Sequence, residues 1–317
     1  MICMVKLVTG CAGFIGSHLA EELLRRGERV IGVDNLDPYY SVEIKKKNLE
    51  GLKKDKNFEF VLGSILDDRI LEKISKDVDL VYHLAAIAGV RNSIKEPVKY
   101  CDFDVLGTVK LLDTFRRKDV EKFVFASSSS VYGEVPEKEL PAKEDRAPRP
   151  IAPYALSKAQ AEEWCNMFNN TYGLPTVSLR YFTVYGPRQR PDEAFTKFIS
   201  AVLRNKQLEI YGDGKQTRDF SFVGDIIAGT ILAGEKGDGI YNVSSGKRIT
   251  LNGAIDMIFG LIGKKPDVKH LERQVTDVTH TWADITRIKK LGYSPKTTLE
   301  EGLKKQVEWC RLNLSCL

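Results

Sequence analysis

The stretch VKLVTGCAGFIGSHLAEELL, residues 5–24, decides the fold. It opens with a short, mostly apolar run of strand length and continues into HLAEELL, whose apolar residues recur at helical spacing. Between the two stand Gly10, Gly13 and Gly16. A lone glycine here would be no more than a tight turn. Three of them, between a strand and a helix, make a surface without Cβ atoms. Across it, backbone N–H groups and the helix N-terminus can approach an anion such as a pyrophosphate. The spacing G-x-x-G-x-x-G is one residue longer than the commonest dinucleotide fingerprint. Gly10, Gly13, Phe14, Ile15 and Gly16 are therefore the first candidates for cofactor contact.

The next run, RVIGVD (29–34), ends on Asp34. Alone, that residue would be a strand-end cap. After a glycine loop, its carboxylate can accept hydrogen bonds from the adenosine ribose hydroxyls and would repel a 2′-phosphate, which favours NAD over NADP. FEFVLG (58–63), VDLVYHLAA (78–86) and KFVFASS (122–128) repeat the pattern, separated by helical stretches. Short continuous apolar runs alternating with helices predict an α/β fold, a Rossmann-type doubly wound parallel sheet. After TVSLRYF (176–182) the loops lengthen and fill with Gly and Pro, as in YGPRQRPDE and YGDGKQTRD. This predicts a cofactor domain over residues 1–180, rejoined by about 219–240, and a smaller C-terminal substrate-binding lobe over 181–317.

Of 317 residues, 43% are hydrophobic and 29% charged, with a net charge of +5, so a large core is available and no nucleic-acid partner is indicated. Lys45-Lys46-Lys47 reads as a solvated helix face. Cys3, Cys11, Cys101, Cys165, Cys310 and Cys316 are scattered without a C-x-x-C pair, which suits a reducing cytosol. His18, His83, His270 and His280 are isolated, so no metal is expected, and His83 reads as a packed strand-end residue. No leader or membrane-spanning run is apparent, so the cytoplasm is the expected location and no membrane partner is expected.

The fifth run passes into FASSSSVYG (125–133), and PYALSKAQAEEW (153–164) places Tyr154 and Lys158 four apart at the start of a helix, on one face. Ionising an ordinary tyrosine at neutral pH costs about 4 kcal/mol. A neighbouring ammonium and a cationic nicotinamide would both stabilise the phenolate. Such a base can take a proton from a sugar hydroxyl. Y-x-x-x-K alone is common on amphipathic helices.

The glycine loop, HLAA (83–86), SSSSVYG, YALSK, RYFTVYGP and TRDF, in this order, resemble the extended short-chain dehydrogenase/reductase family, and within it the NAD-dependent nucleotide-sugar 4-epimerases. The resemblance covers essentially the whole chain. It implies catalytic roles for Ser128, Tyr154 and Lys158. Contacts to NAD are implied at Gly10, Gly13, Phe14, Ile15, Gly16, Asp34, Asn35, Ser64, Ile65, Leu84, Ala85, Ala86, Tyr154 and Lys158. Contacts to a UDP-sugar are implied at Ser128, Ser129, Ser130, Tyr154, Thr183, Arg188, Tyr211, Arg218, Asp277 and Thr281. A homodimer is also implied.

The serines narrow the chemistry. The family's 4,6-dehydratases place an Asp-Glu pair after the catalytic threonine, and its UDP-glucuronate decarboxylases a glutamate just before V-Y-G. Here those positions are Ser129 and Ser130. A hydroxyl cannot replace a carboxyl tuned to neutral pH. Epimerisation is the expected reaction; a decarboxylase, a reductase and a non-catalytic NAD-binding regulator are the rivals.

Thr281 takes the place of a gate residue beside the sugar C2 substituent and is small. UDP-GlcNAc/UDP-GalNAc with UDP-glucose/UDP-galactose is therefore the first expectation. UDP-glucuronate is the alternative, its C6 carboxylate reached by Arg188 or Arg190. Three departures from the family pattern stand out: Asp104 for an asparagine, Ser64 for an aspartate, and ERQVTD (272–277) without R-x-G-D spacing.

Overall fold

The computed structural model describes residues 4–273 and 276–317. Cys3 and the central Gln274-Val275 of ERQVTD lie outside the described residues. The main sheet has seven parallel strands: β1 (Val5–Thr9), β2 (Arg29–Asp34), β3 (Phe58–Leu62), β4 (Leu80–His83), β5 (Lys122–Ser128), β6 (Thr176–Tyr181) and β7 (Gly239–Val243). Their order is β3-β2-β1-β4-β5-β6-β7. The Rossmann-type doubly wound sheet expected from the strand pattern is therefore present.

All five residues of β1 and all six of β6 are buried, as expected of strands that helices cover on both faces. One hydrophobic cluster holds Val8, Leu19, Val30 and Val124, and a second holds Leu7, Ile31, Val81 and Phe123. These side chains alternate along the strands, so the two clusters lie on opposite faces of the sheet.

The chain leaves the sheet after β6 and returns through the helix Val223–Lys236 into β7, which pairs with β6 from Val177 to Tyr181. The intervening and following segments build a third cluster from Phe195, Ile199, Ile255, Ile258, Leu303 and Val307. They come from the helices Ala194–Leu203, Leu251–Ile262 and Leu299–Leu312. The last of these opens with a capping box, Thr298 and Glu301 satisfying each other's backbone amides.

The strand order reverses between β1 and β4, both paired through Thr9, to Val33 on one side and His83 on the other. A crevice opens at such a switch point beyond the carboxyl ends of the strands. His83 is a packing residue, as its position suggested. Its ring is 1% exposed and bonded to the hydroxyls of Thr9 (2.8 Å) and Thr108 (3.0 Å), and burial, then Lys158, lowers its pKa to about 3.

The lysine run does not behave as one solvated face. Lys45 is buried and its ammonium donates to the Asp37 carbonyl at 2.8 Å. The helix Val42–Leu52 turns that lysine toward the crevice while Lys46 pairs with Glu43 at the surface.

Candidate active site

The crevice is a cavity of about 410 Å³. It is lined at one end by the glycine loop and at the other by Ser128, Tyr154, Lys158 and Thr183. Every residue expected to contact the cofactor lines it: Gly10, Gly13, Phe14, Ile15, Gly16, Asp34, Asn35, Ser64, Ile65, Leu84, Ala85, Ala86, Tyr154 and Lys158.

Two glycines show why no side chain is admissible there. Gly10 has φ +72°, and a Cβ on it would stand 2.9 Å from the Ala85 amide nitrogen. A Cβ on Gly16 would collide with the Gly10 carbonyl. The loop and the β4 end therefore approach backbone to backbone, leaving a cradle open to a ligand.

Asp34 sits at the end of β2, where its carboxylate accepts from the amides of Ala12 (3.1 Å) and Leu36 (2.8 Å). Burial raises its pKa, with Lys45 and those amides opposing. This set of glycines, carboxylate and apolar strand ends fits a dinucleotide.

At the other end, the helix Pro153–Tyr172 begins with proline in its first turn, so Tyr154 and Lys158 enter the cavity from one face. The Lys158 ammonium donates to the Ala126 carbonyl at 3.0 Å and lies 6.0 Å from the Tyr154 ring centroid. Burial lowers the lysine pKa while Asp104 raises it. Burial pushes Tyr154 up to about 12, and Asp104 adds to this. A hydrogen bond to Ser128 and the charge of Arg190 act the other way.

Asp104 is the buried acid beneath this pair. Its oxygens accept from the Ile87 amide (2.9 Å) and the Ser157 hydroxyl (3.1 Å). A π-helical turn over Cys101–Leu106 carries it inward.

Ser128 ends β5, and its hydroxyl accepts from the Ser130 amide (3.2 Å) and hydroxyl (2.9 Å), closing the turn Ser129–Tyr132. Ser129 and Ser130 are next to the cavity in sequence but are not among its lining residues. No carboxyl follows Ser128 in that turn.

The remaining substrate candidates separate. Arg188 does not face the cavity. With φ +66° it turns outward, donating to Glu21 at 2.9 Å and reaching the Ser17 hydroxyl at 3.4 Å. Arg190, two residues on, lines the cavity instead.

Tyr211, Arg218 and Asp277 form a second group, none of them among the cavity-lining residues. The Arg91 guanidinium stacks on the Tyr211 ring at 4.1 Å and pairs with Asp277 at 2.7 Å. Arg218 donates to the carbonyls of Thr217 (2.9 Å), Val278 (2.8 Å) and Thr279 (3.1 Å), not to its neighbour Asp219. Burial lowers its pKa, opposed by Asp277 and Glu134. Thr281 lies outside the cavity lining; its hydroxyl accepts from the Asp219 amide at 3.2 Å. Arg91, in AGVRNS (88–93), was not singled out in the sequence.

Other residues missed in the sequence are Tyr39, Tyr40 and Lys45, which follow β2, and Glu193, which follows Arg190. The dipeptide Tyr39-Tyr40 beyond an acidic strand end was the available signal for the first group. Among the described residues, no cluster of His, Cys, Asp or Glu has the makings of a metal site. No described helix is long and apolar enough to cross a membrane.

The family described as GDP-mannose 4,6 dehydratase matches residues 7–306. A UDP-glucuronate 4-epimerase from Thermodesulfobacterium geofontis is 42% identical over 98% of this chain and 97% of its own length. Among solved structures, UDP-glucuronic acid 4-epimerase from Bacillus cereus, in complex with UDP-glucuronic acid and NAD, has a TM-score of 0.93 at 37% identity, covering 98% of this chain and 99% of its own. UDP-N-acetylglucosamine 4-epimerase from Methanobrevibacter ruminantium M1, in complex with UDP-N-acetylmuramic acid, has a TM-score of 0.91 at 36% identity, covering 99% and 100%.

Proposed function

Since the chain belongs to the GDP-mannose 4,6-dehydratase family, an extended short-chain dehydrogenase/reductase family, we propose from its own residues how it uses that fold. It is an NAD-dependent UDP-sugar 4-epimerase, as its relatives and structural neighbours are. The observation that carries this within a family described by a dehydratase is the turn after Ser128, where Ser129 and Ser130 offer hydroxyls and no carboxyl. Elimination needs an acid/base pair there; reversible oxidation at one carbon does not.

NAD, when bound along the glycine cradle, supplies the hydride acceptor and donor. Tyr154 takes the proton from the sugar 4-hydroxyl and returns it, and Ser128 hydrogen-bonds the same oxygen. Lys158, anchored on the Ala126 carbonyl, supplies the positive charge beneath the ring. Arg91, Arg218 and Tyr211 form a cationic, aromatic cluster suited to a nucleoside diphosphate, because a guanidinium forks onto phosphate oxygens and stacks on flat rings. We assign the sheet with β7 to the cofactor and the lobe built on the third cluster to the UDP-sugar.

For the sugar we propose a neutral hexose, UDP-GlcNAc/UDP-GalNAc or UDP-glucose/UDP-galactose. Arg190, the guanidinium lining the cavity, already has its donors on Asp192 (3.0 and 3.1 Å) and Glu193 (2.7 Å). UDP-glucuronate is the second reading, favoured by the relatives acting on it and by the presence of Arg190 in the cavity. Incubation with UDP-GlcNAc, UDP-glucose and UDP-glucuronate separately, with NAD, is expected to give the 4-epimer of a neutral sugar. UDP-galacturonate alone would select the second reading, and no epimer from any would refute both.

We further infer a homodimer in a reducing, cytoplasmic compartment. Leu156 (48% exposed) and Trp164 (39%) lie on the helix carrying Tyr154, and Val98 (71%) and Leu106 (49%) on the segments Pro97–Tyr100 and Cys101–Leu106 that pack against that helix. Such a band on adjoining helices suits a self-complementary interface. Light scattering is expected to give twice the chain mass; a monomer at micromolar concentration would refute it. Cys11, Cys165 and Cys310 are buried free thiols, and Cys101 and Cys316 exposed ones, which suits reducing conditions.

A further inference from the structure

We propose that Glu193 is a specificity-determining residue, a fixed negative charge in the sugar pocket that excludes sugars carrying a carboxylate at C6. The proposal rests on the 4-epimerase reading and deepens it. Glu193 and Arg190 both line the cavity with Ser128, Tyr154 and Thr183. Both act electrostatically on the Tyr154 phenol, Arg190 lowering its pKa and Glu193 raising it. If Tyr154 serves the 4-hydroxyl, the group on C5 is a near neighbour of that hydroxyl on the sugar ring. The C6 substituent therefore falls within range of these two residues.

The charges do not cancel in favour of an incoming anion. The Arg190 guanidinium meets two acids, with Nε 3.0 Å and Nη2 3.1 Å from the Asp192 oxygens and Nη1 2.7 Å from Glu193 Oε1. With both carboxylates ionised, one positive charge stands against two negative; burial and Asp192 raise the Glu193 pKa, and Arg190 and Gln189 oppose them. A third carboxylate would be unpaired in a partly desolvated pocket, where like charges repel strongly. A C6 hydroxyl carries no such penalty and can donate to Glu193.

Glu193 is held where it is. Its other oxygen accepts from the Gln189 amide at 2.8 Å. Gln189 is 2% exposed and pinned in turn by the Val184 carbonyl (3.0 Å) and by the Thr196 amide (3.2 Å) and hydroxyl (3.1 Å). Asp192 also has Tyr39 as a donor at 3.2 Å. The cluster is therefore built, not an incidental pairing of mobile surface chains.

The test compares kcat/KM for UDP-glucuronate and UDP-glucose in the wild-type protein, Glu193→Gln and Glu193→Asp. Glu193→Gln keeps the shape and removes the charge. It is expected to raise the glucuronate-to-glucose ratio at least ~10-fold, while Glu193→Asp, which keeps the charge, leaves the ratio near wild type. An unchanged ratio in Glu193→Gln, or a wild-type protein already using both sugars equally, would overturn the proposal. Should Glu193→Gln not fold, the wild-type and Glu193→Asp ratios decide: both must stay strongly in favour of UDP-glucose. Absence of turnover of every UDP-sugar by the wild type is a separate result that refutes the epimerase reading itself.

Discussion

Tyr154→Phe is expected to lower kcat for 4-epimerisation by about 10³-fold or more, the range lost when a positioned acid–base group is removed. NAD content and the affinity for UDP are expected to stay within a few-fold of wild type. The substitution deletes one oxygen from a ring otherwise held by packing, including an edge-to-face contact with Tyr100 at 6.1 Å. The lost oxygen is the one that meets Ser128.

Burial pushes this phenol up to about 12, and Asp104 behind the helix adds to the effect. The protein alone therefore keeps Tyr154 protonated at neutral pH. Ionisation depends on positive charge from Lys158 and from the nicotinamide ring when it is bound. Because the working form is the base, kcat/KM should rise with pH through the neutral range in the wild type, and the residual rate of Tyr154→Phe should not. Rapid turnover by Tyr154→Phe with an unaltered pH profile would remove Tyr154 from the proton transfer.

Much of this arrangement is legible in the sequence, for a physical reason. The glycine loop, the Asp34 strand end and the Tyr154–Lys158 pair are local features in which a few adjacent residues fix both backbone and chemistry. Parallel strands buried on both faces also announce themselves as apolar runs. What is not legible is the direction of a side chain on an irregular loop and the meeting of distant segments. Arg188 and Arg190 look equivalent in GPRQRPD. A left-handed backbone at Arg188 sends it to Glu21, and only Arg190 reaches the cavity.

Arg91 and Asp277 are 186 residues apart, and no local pattern predicts their pairing at 2.7 Å. Lys45 sits in a run of three lysines that composition reads as solvated, yet helix phase alone turns it inward. The gate role expected for Thr281 depended on an alignment of residues, whereas its hydroxyl is engaged with the Asp219 backbone.

Glu162→Ala is expected to cost about 3–5 kcal/mol of folding stability, as removal of one partner from a buried ion pair does. Arg180 is the penultimate residue of β6 and Glu162 lies one turn beyond Lys158 on its helix, and both side chains are 2% exposed. The guanidinium places Nε 3.0 Å and Nη2 2.7 Å from the two carboxylate oxygens, donates to the Glu144 carbonyl at 3.1 Å, and stacks on the Tyr132 ring at 4.7 Å. Ser127 donates to the same carboxylate from the end of β5.

Burial works against the charged guanidinium, but the hydrogen bonds and charge of Glu162 outweigh it and hold the pKa above its ordinary value. Without Glu162, that charge stays in the core with only carbonyl and ring partners. The Ser127 hydroxyl loses its acceptor beside Ser128, so the damage reaches the catalytic turn as well as the core. Urea denaturation measures the loss, and Glu162→Leu combined with Arg180→Met supplies the control. The double variant removes both charges and is expected to recover most of the stability lost by the single one. If Glu162→Ala unfolds at the wild-type urea concentration, the pair does not anchor the catalytic helix to the sheet. If the double variant is as unstable as the single one, shape, and not the stranded charge, is what the pair provides.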